Sequence, residues 1–351
     1  MMIIDGHLDL AMNALDWNRD LRITAHETRA IEQGMTQKGR AAGTVSFPDM
    51  RRGNIGVVFC TVIARVEYPP VIRPGARTHE IAYGRAQGML AYYQELDRQG
   101  VIRMIADQPT MERHLQDWEA NPDTAPVGCV LTMEGADPIV EPSQAEAWWE
   151  QGCRAVSLVH YGPSAYAFGT ESVGGLKPKG RELLREMDRL GMILDVTHFS
   201  DDSFWDSVNA FQGPVIATHS NCRALVPGDR QLTDDMIKHM IERGGVIGAA
   251  FDAWMLEPNW VRGETLPENV TIATVVDHID HVCQLAGNAK HAAIGTDLDG
   301  GYGTEQCPND LDTIADLQKI PELLRQRGYN DGDINAIMHQ NWLDALQRAW
   351  A

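Results

Sequence analysis

The chain contains no apolar run approaching the ~18 residues that a membrane span requires, so no transmembrane segment is expected. It is poor in positive charge: 30 Lys and Arg stand against 49 Asp and Glu, a net charge of −19. That balance argues against nucleic acid, whose phosphates call for basic patches, and against an anionic membrane surface. Small anionic substrates stay open, because one arginine can hold a carboxylate. Its six cysteines, Cys60, Cys129, Cys153, Cys222, Cys283 and Cys307, form no C-x-x-C, which removes the common zinc and redox signatures. Several sit in apolar runs such as VVFCTVI and VGCVL, and buried thiols in a reducing cytoplasm are expected. No G-x-G-x-x-G follows a strand, which removes the usual reason to expect a dinucleotide-binding open sheet. Internal repeats, low-complexity tracts and linkers are missing as well, so one domain over residues 1–351 is expected. If the first strand starts at Met2, no leader is expected. The closing NWLDALQRAWA reads as an amphipathic helix rather than a lipid-anchor tail.

What is present is a globular composition, 44% hydrophobic and 23% charged over 351 residues. Short β-rich runs recur at 2–5, 55–63, 101–105, 127–133, 155–159, 192–197, 214–218, 245–250 and 292–296. Amphipathic segments lie between them. GRELLREMDRLG keeps helical period through Leu183, Leu184, Met187 and Leu190 and stops at Gly191. TDDMIKHMIERGG repeats the design behind a capping Thr233. Alternating apolar strands and helices mean parallel β/α units. VIRMI is set aside because Arg103 would lie among core positions; it is expected to pair at an edge. Eight runs remain, and the expectation is an α/β protein with a (β/α)8 TIM-type barrel, distorted by a short peripheral strand or loops. A doubly wound open sheet is the alternative.

Barrel active sites form where strands end, so the residues following each strand matter most. The chain begins MMIIDGHLDL. Asp5 and Gly6 end or bend the first strand, and alternation puts His7 and Asp9 on one side with Leu8 opposite. Glu134 follows VGCVLTM, His160 follows AVSLV, His198 follows MILDVT, His219 follows PVIAT and Asp297 follows AAIGT. Each alone is most often a polar loop residue. Together they place metal-ligand and acid/base chemistry on one rim. Three histidines with an aspartate and a glutamate exceed one tetrahedral zinc and suit two cations sharing a carboxylate, which Glu134 can supply with its two oxygens. Asp297 is then free to move a proton. His278 and His281 in DHIDHVC point largely away from their helix's apolar face, and a structural role is expected. Asp299 in DLDGG lacks the remaining ligands of a calcium loop.

The segments DGHLDL, MRRGNIGVVFCTVI, LTMEGAD, GLKPKGRELLREMDRLGMILDVTHFSDDSFWDSV, PVIATHSNCRAL, GGVIGAAF, HIDHVCQLAG and IGTDLDGG resemble the renal (membrane) dipeptidase family of zinc metallopeptidases nearly end to end. The resemblance implies two zinc ions, one held by His7 and Asp9 and one by His198 and His219, with Glu134 bridging. It implies that His160 stabilises the oxyanion, that Arg230 in PGDRQL binds the substrate's terminal carboxylate, and that Asp297 carries the proton. The activity implied is hydrolysis of dipeptides, including L-Xaa-D-Xaa, through attack by a metal-bridging hydroxide. A homodimer is implied by the family alone. Three departures stand out: Leu8 where the family often has Asn, YGPSAYAFGTESVGG after His160, and MHQNWLDAL where a Gly-Asn-Asn-x-x-Arg pattern is usual. The rival readings are an amidohydrolase acting on N-acyl amino acids or related amides and esters, and a metal-binding protein without catalysis.

Overall fold

The computed structural model describes residues 1–67, 75–261 and 264–350. Its described strands are β1 Ile3–Leu8, β2 Ile55–Ile63, β3 Ile102–Met104, β4 Val127–Glu134, β5 Ala155–Val156, β6 Ile193–Asp195, β7 Val215–Ala217, β8 Val246–Ala249 and β9 Ala292–Ile294. All pairings between them are parallel, in the order β2-β1-β9-β8-β7-β6-β5-β4-β3, and β2 also pairs with β4. That last pairing, from Val57↔Gly128 to Ile63↔Glu134, closes eight strands into a TIM-type barrel and leaves β3 outside it. β3 takes the first half of one edge of β4, at Val127 to Cys129, and β5 takes the same edge further along, at Thr132 and Met133. Arg103 on this peripheral strand reaches Asp117 at 2.8 Å, so its charge stays out of the barrel, as its sequence position implied.

Strand lengths differ from the sequence reading. β5, β6, β7 and β9 end before the residues that carry the site, because the apolar runs continue past the last ladder contact while the chain turns out over the rim. β1 runs further than expected, through His7 to Leu8. Between the pairs Asp5↔Val58 and Leu8↔Cys60 it advances three residues while β2 advances two. This bulge re-aims the strand end. Asp5 and Gly6 thus bend the strand and do not end it.

Ile4, Val57, Val130, Ala155, Ile193, Ile216, Val246 and Ala293, one from each barrel strand, cluster inside the barrel. The helix Asn341–Trp350 completes that cluster with Trp342, Ala345 and Leu346. Trp342 donates from Nε1 to the Ile294 carbonyl at 2.8 Å, and its ring centroid lies 5.0 Å from that of Phe59. Gly6 makes room for it: a Cβ there would sit 2.5 Å from the indole. The barrel floor is therefore built from the segment that departs from the family pattern.

Outside the barrel, the helix Pro178–Leu190 buries Leu183, Leu184 and Met187 and stops at Gly191 with φ 71°. The helix Asp234–Glu242 starts at Thr233, whose hydroxyl accepts from Met236 N. Both follow the sequence reading. Two expectations are corrected. Cys60 and Cys129 are not free thiols but a disulfide between β2 and β4, with Cα atoms 5.5 Å apart. Adjacent-strand register brings these residues together although 69 positions separate them in sequence. His278 does not face away from the core: the buried stripe of the helix Ile272–Ala286 is wide enough to include it, and its Nδ1 accepts from Cys222 N at 3.0 Å. Among the described residues, no helix is long and apolar enough to cross a membrane.

Candidate active site

The sequence-predicted residues meet at the C-terminal end of the barrel. Asp9, Glu134, His160, His198, Arg230 and Asp297 line one cavity of about 250 Å³, and His7 and His219 lie buried against it with ring centroids 3.8 Å apart. Glu134, the last residue of β4, is the hub. Its Oε1 is 3.1 Å from His198 Nε2, 3.3 Å from His219 Nε2 and 3.7 Å from His160 Nε2, and its Oε2 is 3.8 Å from His7 Nε2. Asp297 Oδ1 is 3.8 Å and Asp9 Oδ2 4.0 Å from the same His7 nitrogen. β9 lies directly beside β1, so Asp297 adjoins His7 and does not face it across the barrel.

Among the described residues, metal-ligand atoms within 4.8 Å of one another form three overlapping groups: His7, Glu134 and His219; Glu134, His160 and His198; and His7, Asp9 and Asp297. Among the same residues, His7 Nε2 and Asp9 Oδ1 are buried without a hydrogen-bond partner, which is costly for polar atoms unless something else satisfies them. Burial lifts the Glu134 carboxyl well above the usual range, and the Asp9 and Asp297 charges add to this. Asp297 is raised by burial and then by Asp9, and Asp9 is pushed up to about 7 by burial and then Asp16. Burial also pulls His7 down to about 3, aided by Arg230, and holds His198 and His219 well below the usual imidazole value. Neutral imidazoles beside crowded carboxylates are the donor set a divalent cation needs, and a cation supplies the missing countercharge. The residues therefore fit a metal centre.

The supporting contacts are as informative as the ligand atoms. Thr218 Oγ1 donates to Asp195 Oδ2 at 2.6 Å, and His219 Nδ1 lies 3.0 Å from the same hydroxyl. With the hydroxyl proton committed to Asp195, His219 donates from Nδ1 and leaves its Nε2 lone pair for the site. Asp5 accepts from His7 N, Thr296 N and Thr296 Oγ1, tying the middle of β1 to the segment that follows β9. Asp5 and Asp195 were missed in the sequence reading. Their signal was available: an acid inside a buried strand must be compensated. Asp299, rejected there as a calcium ligand, accepts from Thr44 N and Val45 N and pairs with Arg19 at 3.4 Å. His198 and Asp297 adopt φ of 69° and 57°, a conformation uncommon for residues with side chains.

Arg230 is buried, donating from Nη2 to the His219 carbonyl at 2.8 Å and from Nη1 to Ser220 Oγ at 3.4 Å. Among the described residues, no carboxylate pairs with it.

The sequence model of the membrane dipeptidase family (peptidase family M19) matches residues 1–350. The chain belongs to that family. A Klebsiella pneumoniae protein named only for its place beside pqqA is 33% identical over 176 residues, 50% of this chain and 62% of that one. The dipeptidase tcpJ of Claviceps purpurea is 28% identical over 352 residues, 98% of this chain and 76% of its own. A metallopeptidase from Rhodobacter sphaeroides, solved with a phosphinate mimic of L-Ala-D-Ala, superposes with a TM-score of 0.79 at 23% identity, covering 100% of this chain and 99% of that one. As a membrane dipeptidase family member the chain is a hydrolase of the dipeptidase class, and its barrel superposes on a solved family M19 dipeptidase with a TM-score of 0.79 at 24% identity, covering 100% of this chain and 99% of that one.

Proposed function

We propose that the chain is a binuclear zinc dipeptidase that cleaves dipeptides and accepts a D-residue at the C-terminal position. The observation that carries the reading is Arg230: a buried guanidinium to which, among the described residues, no carboxylate is hydrogen-bonded, lining the same cavity as Glu134, Asp9 and Asp297. A buried cation of this kind calls for an anion, and its planar fork suits a carboxylate. The cavity, about 250 Å³, favours a small ligand over a longer peptide. The Rhodobacter relative with its dipeptide mimic supports the same substrate class.

In this reading His7 and Asp9 would hold one zinc and His198 and His219 the other, with Glu134 shared between them. Bound there, the cations would acidify a water and polarise the scissile carbonyl. Arg230 fixes the terminal carboxylate and so sets the carbonyl's position. His160 donates to the oxygen that gains charge in the tetrahedral state. Asp297 takes a proton from the attacking water and passes it to the departing amine, which is a poor leaving group as an anion.

A library of L-Xaa-L-Xaa and L-Xaa-D-Xaa dipeptides, their C-terminal amides and N-acyl amino acids tests the reading on zinc-loaded enzyme. Free dipeptides should be turned over and the amides should be poor substrates. Arg230→Lys should lose about 10²-fold or more in kcat/KM, because an ammonium does not reproduce a two-pronged contact. Equal turnover of a dipeptide and its amide would favour a general amidohydrolase instead.

A further inference from the structure

We propose that Arg65 is a positioning residue that holds His160 as the neutral tautomer with its proton on Nε2, a role that rests on the reading of His160 as the oxyanion donor. Arg65 follows β2 by two residues and lines the cavity beside His160. Its Nη1 lies 3.1 Å from His160 Nδ1. A guanidinium has donors only, so the imidazole nitrogen facing it must accept and carries no proton. In a neutral ring the single proton then sits on Nε2. That nitrogen faces inward, 3.7 Å from Glu134 Oε1.

Two consequences follow for a ring that stands among ligand atoms. With Nε2 protonated, His160 has no lone pair to offer a cation, although it falls in one donor group with Glu134 and His198. It also presents an N–H where a developing oxyanion needs one. The opposite tautomer would aim a lone pair at that oxygen and repel it.

The guanidinium is itself held in place. Its Nε is 3.2 Å from Glu67 Oε1. The next backbone amide, Val66 N, donates to the buried Asp137 Oδ2 at 2.7 Å, and Asp137 Oδ1 accepts from Ala165 N at 3.3 Å. One carboxylate thus joins the segment carrying Arg65 to the segment that follows His160. Asp137 is the last residue of the LTMEGAD motif, to which the catalytic reading assigns no task beyond Glu134.

The test combines ¹⁵N NMR of histidine-labelled, zinc-loaded enzyme with kinetics of Arg65→Met, Arg65→Lys, His160→Gln and the Arg65→Met/His160→Gln double variant. The His160 signals are those lost in His160→Gln. In the wild type, Nδ1 should resonate as a lone-pair nitrogen and Nε2 as a protonated one. Arg65→Met should mix the tautomers and lower kcat about 10-fold or more with KM changed by about 2-fold at most. Arg65→Lys should restore both readouts substantially, since an ammonium also only donates. The double variant should be no slower than His160→Gln, because Arg65 acts through that ring. A proton on Nδ1 in the wild type, an unchanged tautomer in Arg65→Met, additive losses, or a raised KM with kcat intact would each overturn the proposal. Near-normal kcat in His160→Gln would instead sink the oxyanion reading, with the tautomer judged independently by NMR.

Discussion

At Asp297 one carboxylate has two tasks open to it. Its Oδ1 lies 3.8 Å from His7 Nε2 and shares a donor group with His7 and Asp9, so it stands close enough to ligate. Its place at the cavity wall also suits a proton carrier. Asparagine separates the two, since it keeps the shape and a hydrogen bond but cannot carry the proton. Asp297→Asn should keep near-normal zinc content and bind a phosphinate dipeptide mimic within about an order of magnitude of wild type. Its kcat should fall about 10²-fold or more, the usual reach of general acid–base catalysis. Loss of metal would make Asp297 a ligand. Retention of both metal and kcat would make it structural. The type and position of this residue were legible from the sequence, because an acid directly after a buried strand lands on the rim. Its distance to His7 was not, because that depends on β9 closing against β1.

Two elements outside the rim carry predictions of their own. The helix Asn341–Trp350 floors the barrel through Trp342, which is fully buried. Trp342→Ala should cost about 3–5 kcal/mol by leaving a cavity and an unpaired Ile294 carbonyl, read as a lower urea midpoint at unchanged slope. Trp342→Phe should cost less. Equal stability of Trp342→Ala and wild type would show that the floor rearranges. The helix Ile272–Ala286 is tied to the segment after β7 by His278, whose burial, with His281 adding, lowers it from 6.5 to about 4. The folded state keeps this ring neutral down to about pH 4 while the unfolded chain takes up the proton near 6.5. The unfolded state therefore binds more protons between those values, and stability falls as pH drops through that window, by up to about 3 kcal/mol. His278→Gln should flatten this part of the stability–pH curve; an identical curve would show that other groups produce the slope. That His278 lies on a helix was readable from the periodicity around it. That it is buried was not, because the width of a helix's buried stripe is set by what packs on it.

For the whole molecule, the decisive quantity is metal content. Donors from β1, β4 and the segments after β6 and β7 meet at Glu134, so a cation bound there ties distant parts of the barrel together. Zinc-supplemented protein should approach about two equivalents per chain, and chelation should lower the unfolding temperature, because a ligand that binds only the folded state stabilises it. Glu134→Gln should reduce the content, since an amide bridges two cations poorly. Saturation at one equivalent in the wild type would rule out the binuclear reading.

The sequence by itself determined the strand count, the exclusion of VIRMI from the barrel and which acids and histidines follow the strands onto the rim. Each rests on local information: β-rich runs mark strands, and a parallel barrel delivers whatever follows each strand to one end. Tertiary structure alone decided the contacts between segments far apart in the chain. Arg65 meets His160 across 95 positions, Asp5 meets Thr296 across 291, and Cys60 meets Cys129 only because β2 and β4 pair in one register. No periodicity encodes such meetings. They arise because a closed sheet forces strand ends and loops into a small shared volume, where a buried donor or charge must find whichever partner the closure brings to it.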